Sequence, residues 1–294
     1  MNELEQFINY LQLQRRYSSH TIIAYKNDIL QLFEFTEKTY NTQSLTKITP
    51  QVIRSWLANL KDNKTSNQTI TRKISSLKTF FKFLKKKRIL AISPLIKIIP
   101  PKKNKKLPVF LKLEETSQLF DSTLFPNDYL GQRDLMILEL FYATGMRLSE
   151  LTTLTFNSID INNQQIKVIG KRNKERIIPL SNLMCKKIIT YIEIRNNFFP
   201  DNNKELFLSQ KGKKIYPKLV YRLVNSYLSK VTTNSKKSPH ILRHTFATHM
   251  LNNGADINTI KEILGHSNLT ATQIYTHNTI EKLKNIYKQA HPKA

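Results

Sequence analysis

At 294 residues the chain exceeds the roughly 100 to 200 residues that one compact domain commonly holds, and two domains are expected. Its 47 Lys and Arg stand against 21 Asp and Glu, a net charge of +26 that favours a polyanionic partner. No run of about 18 apolar residues is present, which excludes a membrane-spanning helix, and the single cysteine, Cys185, excludes an internal disulfide.

Four amphipathic helices account for most of the first hundred residues. Leu4, Phe7, Ile8 and Leu11 recur at helical spacing, and the same stretch, with Glu3 and Glu5, lacks the basic-then-apolar pattern of a leader, so a cytoplasmic protein is expected. Ser18-Ser19 offers an N-cap before Ile22, Tyr25, Ile29, Leu32 and Phe33. Thr49-Pro50 opens a third helix containing Val52, Ile53, Trp56, Leu57 and Leu60, with proline at its first position. The fourth starts at Ser66 or Asn67 and carries the stripe Ile70, Ile74, Leu77, Phe81 and Leu84, widened by Phe80 and Phe83. Its other positions include Arg72, Lys73, Lys78, Lys82, Lys85, Lys86, Lys87 and Arg88, and residues 1–106 hold 21 Lys and Arg against 6 Asp and Glu. A helical module this basic has the composition of a DNA-gripping domain.

Pro94 and the run Pro100-Pro101-Lys102-Lys103-Asn104-Lys105-Lys106-Leu107-Pro108 cannot be helical throughout. Domains are therefore placed at 1–98 and 109–294, joined by a basic linker over 99–108 that could follow phosphates while the domains close around a duplex. Beyond it the pattern changes to helices with short hairpins. Helices are expected over Leu113–Leu119 and Arg133–Tyr142, the second leading to Gly145 and a sharp approach into Arg147. Ser158–Ile161, Gln165–Ile169 and Arg176–Leu180 read as strands, with turns at Asn162-Asn163 and Lys171–Lys174. The fold class is mainly α with a small antiparallel sheet. Cys185, among Leu183, Met184, Ile188 and Ile189, reads as a packed core thiol.

The residues able to carry chemistry are concentrated in this second part. Transfer of a phosphoryl group from DNA to a side chain needs charge neutralisation on the nonbridging oxygens, a nucleophile in line, and an acid for the leaving oxygen. Arginine suits the first task through its permanently charged, planar fork, and Arg147 and Arg243 are the candidates. Ser238-Pro239-His240-Ile241-Leu242-Arg243-His244 reads as a helix start with His240 and Arg243 one turn apart near its positive end. His240 and His244 also stand at H-x-x-x-H spacing, but Ile241 replaces the glutamate of a zinc protease and no cysteine pair accompanies them, so no metal is assigned. His244 and His249 read as packed or hydrogen-bonded. Gly265 is expected to end an apolar helix (Ile257, Ile260, Ile263) and to present His266, with Tyr275 nine residues later. A tyrosine of ordinary pKa near 10 attacks only beside positive charge and a base.

Five segments in this order, A-T-G-M-R-L-S-E-L (143–151), I-G-K-R-N-K-E-R-I-I-P-L (169–180), H-I-L-R-H-T-F-A-T-H (240–249), L-G-H (264–266) and T-Q-I-Y-T-H (272–277), resemble those of the tyrosine site-specific recombinases of the phage integrase family, most of all the Xer group. The resemblance covers essentially the whole chain, and the ending Gln289-Ala290-His291-Pro292-Lys293-Ala294 is similar to the XerD branch. It implies a two-domain DNA clamp, a helical core-binding domain followed by a catalytic domain. It further implies that Arg147 and Arg243 bind the scissile phosphate, that Lys171 protonates the leaving 5′-oxygen, and that His240 assists proton removal from Tyr275. His266 would hydrogen-bond the phosphate, Glu150 would orient the site, and Tyr275 would become the 3′-phosphotyrosine. No cofactor, metal or ATP is implied. The implied partners are double-stranded DNA at short, partly palindromic sites, a sister recombinase in a tetramer and an FtsK-type DNA translocase, in a nucleoid-associated protein that resolves chromosome dimers.

Two departures from the family pattern are visible. The lysine hairpin reads Gly170-Lys171-Arg172 where G-K-G is common, and Lys174 is near enough to rival Lys171 as the acid; Met146 replaces a commoner leucine at nearly constant volume. The same chemistry would serve the integrase of a mobile element, or a type IB topoisomerase acting without site preference. A protein that only bends or bridges DNA would be marked by loss of the tyrosine or an arginine, and neither is lost. A last helix with Ile280, Leu283, Ile286 and Tyr287 on one face is expected to dock into a neighbouring protomer.

Overall fold

The computed structural model describes residues 2–102, 109–170, 174–200, 203–265 and 286–292, and the chain divides into two compact units, Met1–Lys106 and Leu107–Ala294. Four helices build the first unit: α1 (Asn2–Asn9), α2 (Ser19–Tyr40), α3 (Pro50–Asp62) and α4 (Asn67–Lys86). Their starts are set by side-chain caps that satisfy otherwise orphaned amides. Ser18 Oγ accepts from Thr21 N, Thr49 Oγ1 from Val52 N, and Ser66 Oγ from Thr69 N, which selects Ser66 over Asn67 as the cap of α4. Asn41, left-handed at φ 47°, ends α2. After α1 the chain widens into a π turn over Tyr10–Gln14, which keeps Leu11 in the core and turns Leu13 out to solvent.

Phe7, Leu11, Ile29, Leu32, Ile53, Trp56, Ile74, Leu77, Phe80, Phe81 and Leu84 form the core of this unit, each fully buried side chain contributing about 1.5–3 kcal/mol. Leu95 and Ile98 close it from the chain that follows α4. Among the described residues of this unit two charged groups are buried, Asp28 and Lys73. Asp28 on α2 accepts from both terminal nitrogens of Arg72, from Lys73 Nζ at 3.1 Å and from Ser76 Oγ at 2.7 Å, all three on α4, so its desolvation is offset by two cations and a hydroxyl.

Helices of the second unit are α5 (Leu113–Leu119), α6 (Tyr129–Thr144), α7 (Leu148–Leu151), α8 (Asn182–Phe198), α9 (Pro217–Val231), α10 (Pro239–Asn252) and α11 (Ile257–Leu264). Its strands are β1 (Ile159–Asp160), β2 (Gln165–Ile169) and β3 (Glu175–Pro179), antiparallel in the order β1-β2-β3. β1 is shorter than the expected Ser158–Ile161. Phe156–Ser158 form a 3₁₀ turn instead, and the Asp160 carboxylate leaves the ladder direction to accept from Asn163 N at 2.9 Å. β2 and β3 pair Ile166 with Ile178 and Val168 with Arg176, so these four residues share the inward face.

α6 is the central helix, packed against α8 and α10, and it begins earlier than the expected Arg133 because Asp128 caps it through Gly131 N at 2.8 Å. Two buried polar links fasten α10 to it and to the start of the unit. His249 Nε2 donates to Leu111 O and its Nδ1 accepts from Tyr142 Oη, both at 2.9 Å, which fixes a neutral tautomer. Cys185 is buried in the same core. The last described turn, 286–290, also packs here: Tyr287, Ala290 and His291 are buried, Asn253 Nδ2 donates to Ala290 O, and His291 Nε2 donates to Tyr142 O at 3.1 Å. Ile286 packs against the core of its own unit and Tyr287 is buried there, stacked on His291, whose ring meets Tyr142 and Phe246. Ile280 and Leu283 lie outside the described residues. Among the described residues no helix is long and apolar enough to cross a membrane.

Candidate active site

Three segments distant in sequence meet where α6 ends. Gly145 caps α6 in the left-handed region at φ 59°, and a Cβ there would stand 2.6 Å from Phe246 Cδ1 and 2.7 Å from Leu264 Cδ2, so glycine is required twice over. The turn delivers Arg147 as the residue before α7. Glu150, one turn later and fully buried, reaches back to accept from Arg147 N at 2.7 Å and from Arg147 Nη1 at 2.8 Å. Arg147 Nη2 donates to Gly265 O at 2.9 Å, while a third of its side chain stays exposed.

Arg243 enters from the second turn of α10. It is buried, donating through Nη1 to Gly145 O at 2.6 Å and through Nη2 to Leu264 O at 2.7 Å. Burial, and then the charges of Arg147 and Arg176 against the opposing pull of Glu150, push its pKa down to about 9, so it remains a cation at neutral pH. An incoming phosphodiester would relieve that repulsion. His240 sits at the exposed mouth of the same helix, three residues before Arg243. His244 is exposed rather than packed, because α10 turns that position away from α6; His249 is the packed one.

The residue that sequence reasoning missed is Arg176. On β3 it forks onto Glu150, Nη1 to Oε1 at 2.7 Å and Nη2 to Oε2 at 2.8 Å, and its Nε donates to Ile263 O at 2.7 Å. Its signal was there to read: in the alternation of β3 it occupies a position on the same face as Ile178, where an arginine must be buried and paired. Burial alone would raise the Glu150 carboxyl, but Arg176 and Arg147 outweigh it and hold the group down to about 2. Three consecutive carbonyls at the end of α11, those of Ile263, Leu264 and Gly265, therefore each receive a different arginine, Arg176, Arg243 and Arg147. The negative end of that helix and one carboxylate face three guanidiniums, which leaves positive charge for an anion at the exposed edge of Arg147.

Gly265 ends α11 at φ 63°, as expected, and the next residue is His266. The lysine hairpin is closed at its base by Gly170 N donating to Lys174 O at 2.7 Å, and Lys174 is exposed there. Lys171, His266 and Tyr275 lie outside the described residues. Among the described residues no group of three His, Cys, Asp or Glu side chains is placed to hold a metal.

The profile of the Phage integrase family matches residues 110–282, and that of the phage integrase N-terminal SAM-like domain matches residues 4–88. The chain belongs to the phage integrase family, the tyrosine recombinases that cut and rejoin DNA, and within it to the Xer group. It is 38% identical to the tyrosine recombinase XerC of Chlorobaculum tepidum, over 99% of this chain and 94% of that one. It is equally 38% identical to the XerC of Anoxybacillus flavithermus, over 99% and 98%. Both relatives carry the XerC name, not the XerD name that the chain's last residues resemble. The fold is shared with XerH site-specific recombinase, solved bound to its difH substrate in a pre-cleavage complex, at a TM-score of 0.71 and 23% identity over 97% of this chain and 84% of that one.

Proposed function

We propose that this chain exchanges DNA strands at short, partly palindromic sites and thereby resolves chromosome dimers, as half of a tetramer shared with a sister recombinase and under an FtsK-type DNA translocase, at the nucleoid in the cytoplasm. The observation that carries the chemistry is the convergence of Arg147 and Arg243 on the turn that leads into His266. Arg147 and Arg243 hold the nonbridging oxygens of the scissile phosphate, and Glu150 holds Arg147 in place. Tyr275 Oη attacks phosphorus as His240 assists loss of its proton; the bond to the 5′-oxygen breaks, and Lys171 supplies the proton that oxygen needs. His266 donates to the phosphate. The phosphotyrosine ester keeps the energy of the bond, so a partner strand's 5′-hydroxyl can reverse the step without ATP. Arginines supply the charge that a metal would otherwise provide. Residues 1–98 grip the duplex through the basic face of α4, the linker 99–108 tracks phosphates, and residues 109–294 carry out the reaction.

The test is incubation of the full chain with nicked duplexes carrying candidate recombination sites, without metal or ATP, followed by a denaturing gel. Wild type should give a covalent protein–DNA band that Tyr275→Phe does not. Tight binding without a band, in the presence of an active partner recombinase, would leave a DNA-binding protein and end the catalytic reading.

A further inference from the structure

Arg176 is placed where a cation is costly, on the inward face of β3 beside Val168 and Ile178, and its three donor positions are spent on two other segments. The first is the Arg147 turn, through both oxygens of Glu150. The second is the end of α11, through Ile263 O. Its own strand is the descending arm of the hairpin that carries Lys171. The fit is close on all sides: a Cβ on Gly170 would touch Glu150 Oε1 at 3.4 Å and Arg176 Nη1 at 3.6 Å, and one on Gly265 would press on Arg176 Cδ at 3.0 Å. One guanidinium thus ties together the segments that bear Arg147, Lys171 and His266.

Resting on the function proposed above, we infer that Arg176 is a positioning residue of strand cleavage, locking Glu150 and the end of α11 so that Arg147 presents its exposed edge to the scissile phosphate. A bidentate fork fixes both carboxylate oxygens in one plane, which leaves Oε1 aimed at Arg147 Nη1 and Oε2 at Arg147 N. Lysine, a point charge, could neutralise Glu150 without fixing that plane. The groups facing Glu150 are Arg147 from its own turn, Arg176 from β3 and Arg243 from α10; α11 presents carbonyls to these arginines. Without Arg176 the carboxyl loses its strongest partner and takes up a proton at higher pH, releasing Arg147.

The experiment compares full-length wild type, Arg176→Met and Arg176→Lys on the nicked duplex, measuring affinity and the rate of covalent product from about pH 5 to pH 8.5. Affinity should stay within about threefold, because phosphate contacts spread over the whole basic surface dominate it. The covalent rate of Arg176→Met should fall at least about tenfold at the alkaline end, the loss of roughly one charged hydrogen bond, and the deficit should widen as pH drops. Arg176→Lys should lie between the two. A deficit constant across pH and matched by a fall in thermal stability would reduce Arg176 to a folding role and overturn the proposal, as would an unchanged rate in a folded variant. Should Arg176→Met fail to fold, the same profile is read from Arg176→Lys. The carboxyl carbon of Glu150 is followed separately by ¹³C NMR: a raised titration midpoint in the variant supports the lock, and an unmoved one overturns it. A wild type without covalent product would sink the catalytic reading, a result distinguishable from either.

Discussion

Replacing Gly145 with alanine should be among the most damaging single-methyl additions in the second unit. Two costs can be worked from the structure. At φ 59° an alanine is held in the left-handed region, which costs about 1–2 kcal/mol. Its Cβ would then lie 2.6 Å from Phe246 Cδ1 and 2.7 Å from Leu264 Cδ2, both buried side chains with nowhere to retreat, an overpacking of about 1–3 kcal/mol. The expected loss is about 2–5 kcal/mol. Gly254 supplies the control: its φ is 86°, yet a Cβ there would meet nothing within 4 Å, so Gly254→Ala should show the backbone cost alone, about 1–2 kcal/mol. Urea unfolding followed by far-UV circular dichroism suits the comparison, since the single tryptophan, Trp56, reports on the first unit. Equal losses for the two variants would refute the packing argument. A Gly145→Ala protein that unfolds normally but has lost cleavage would instead place the damage at Gly145 O, the acceptor of Arg243.

Asp28→Ala should destabilise the first unit by about 3–5 kcal/mol, because Lys73, 7% exposed at its side chain, loses its carboxylate partner in the interior; the Trp56 fluorescence transition checks it. Tyr142→Phe leaves His249 Nδ1 without its donor and should cost about 1–3 kcal/mol by denaturant unfolding of the second unit. Glu150 is depressed to about 2 in the folded chain against about 4.3 for a free side chain, so its ion pairs stabilise the fold fully above about pH 4.3 and less as pH falls toward 2, by up to about 3 kcal/mol. The stability gap between wild type and Glu150→Gln, measured at pH 7 and again near pH 3, should therefore narrow; a constant gap would contradict the assignment.

Much of the first unit could be read residue by residue. Ser18, Thr49 and Ser66 cap the helices that they were expected to start, and the stripe from Ile70 to Leu84 is buried as its spacing requires. These are local effects, decided within one turn of helix. Where the structure departs from that reading, one cause is local and one is tertiary. β1 is short beside the Asp160 carboxylate, which accepts from Asn163 N three residues on, and His244 falls on the exposed side of α10. The site shows the same division. Arg147, Glu150 and Arg243 were recognisable from their order and context, whereas Arg176 was passed over because its meaning lies in partners 26 and 87 positions away.

By itself, the amino-acid sequence determined the helices and their caps, the basic balance of the first hundred residues and the ordered motifs that mark a tyrosine recombinase, since each depends on neighbours within a few residues or on residue type alone. Tertiary structure alone decided how the charges are used. Whether an arginine is a solvated surface group or a buried donor is set by what surrounds it, and Arg147 and Arg243 acquire their partners at Gly265, Gly145 and Leu264 only when α6, α10 and α11 have packed. Burial strengthens every such interaction by excluding water, and that exclusion comes from the fold as a whole.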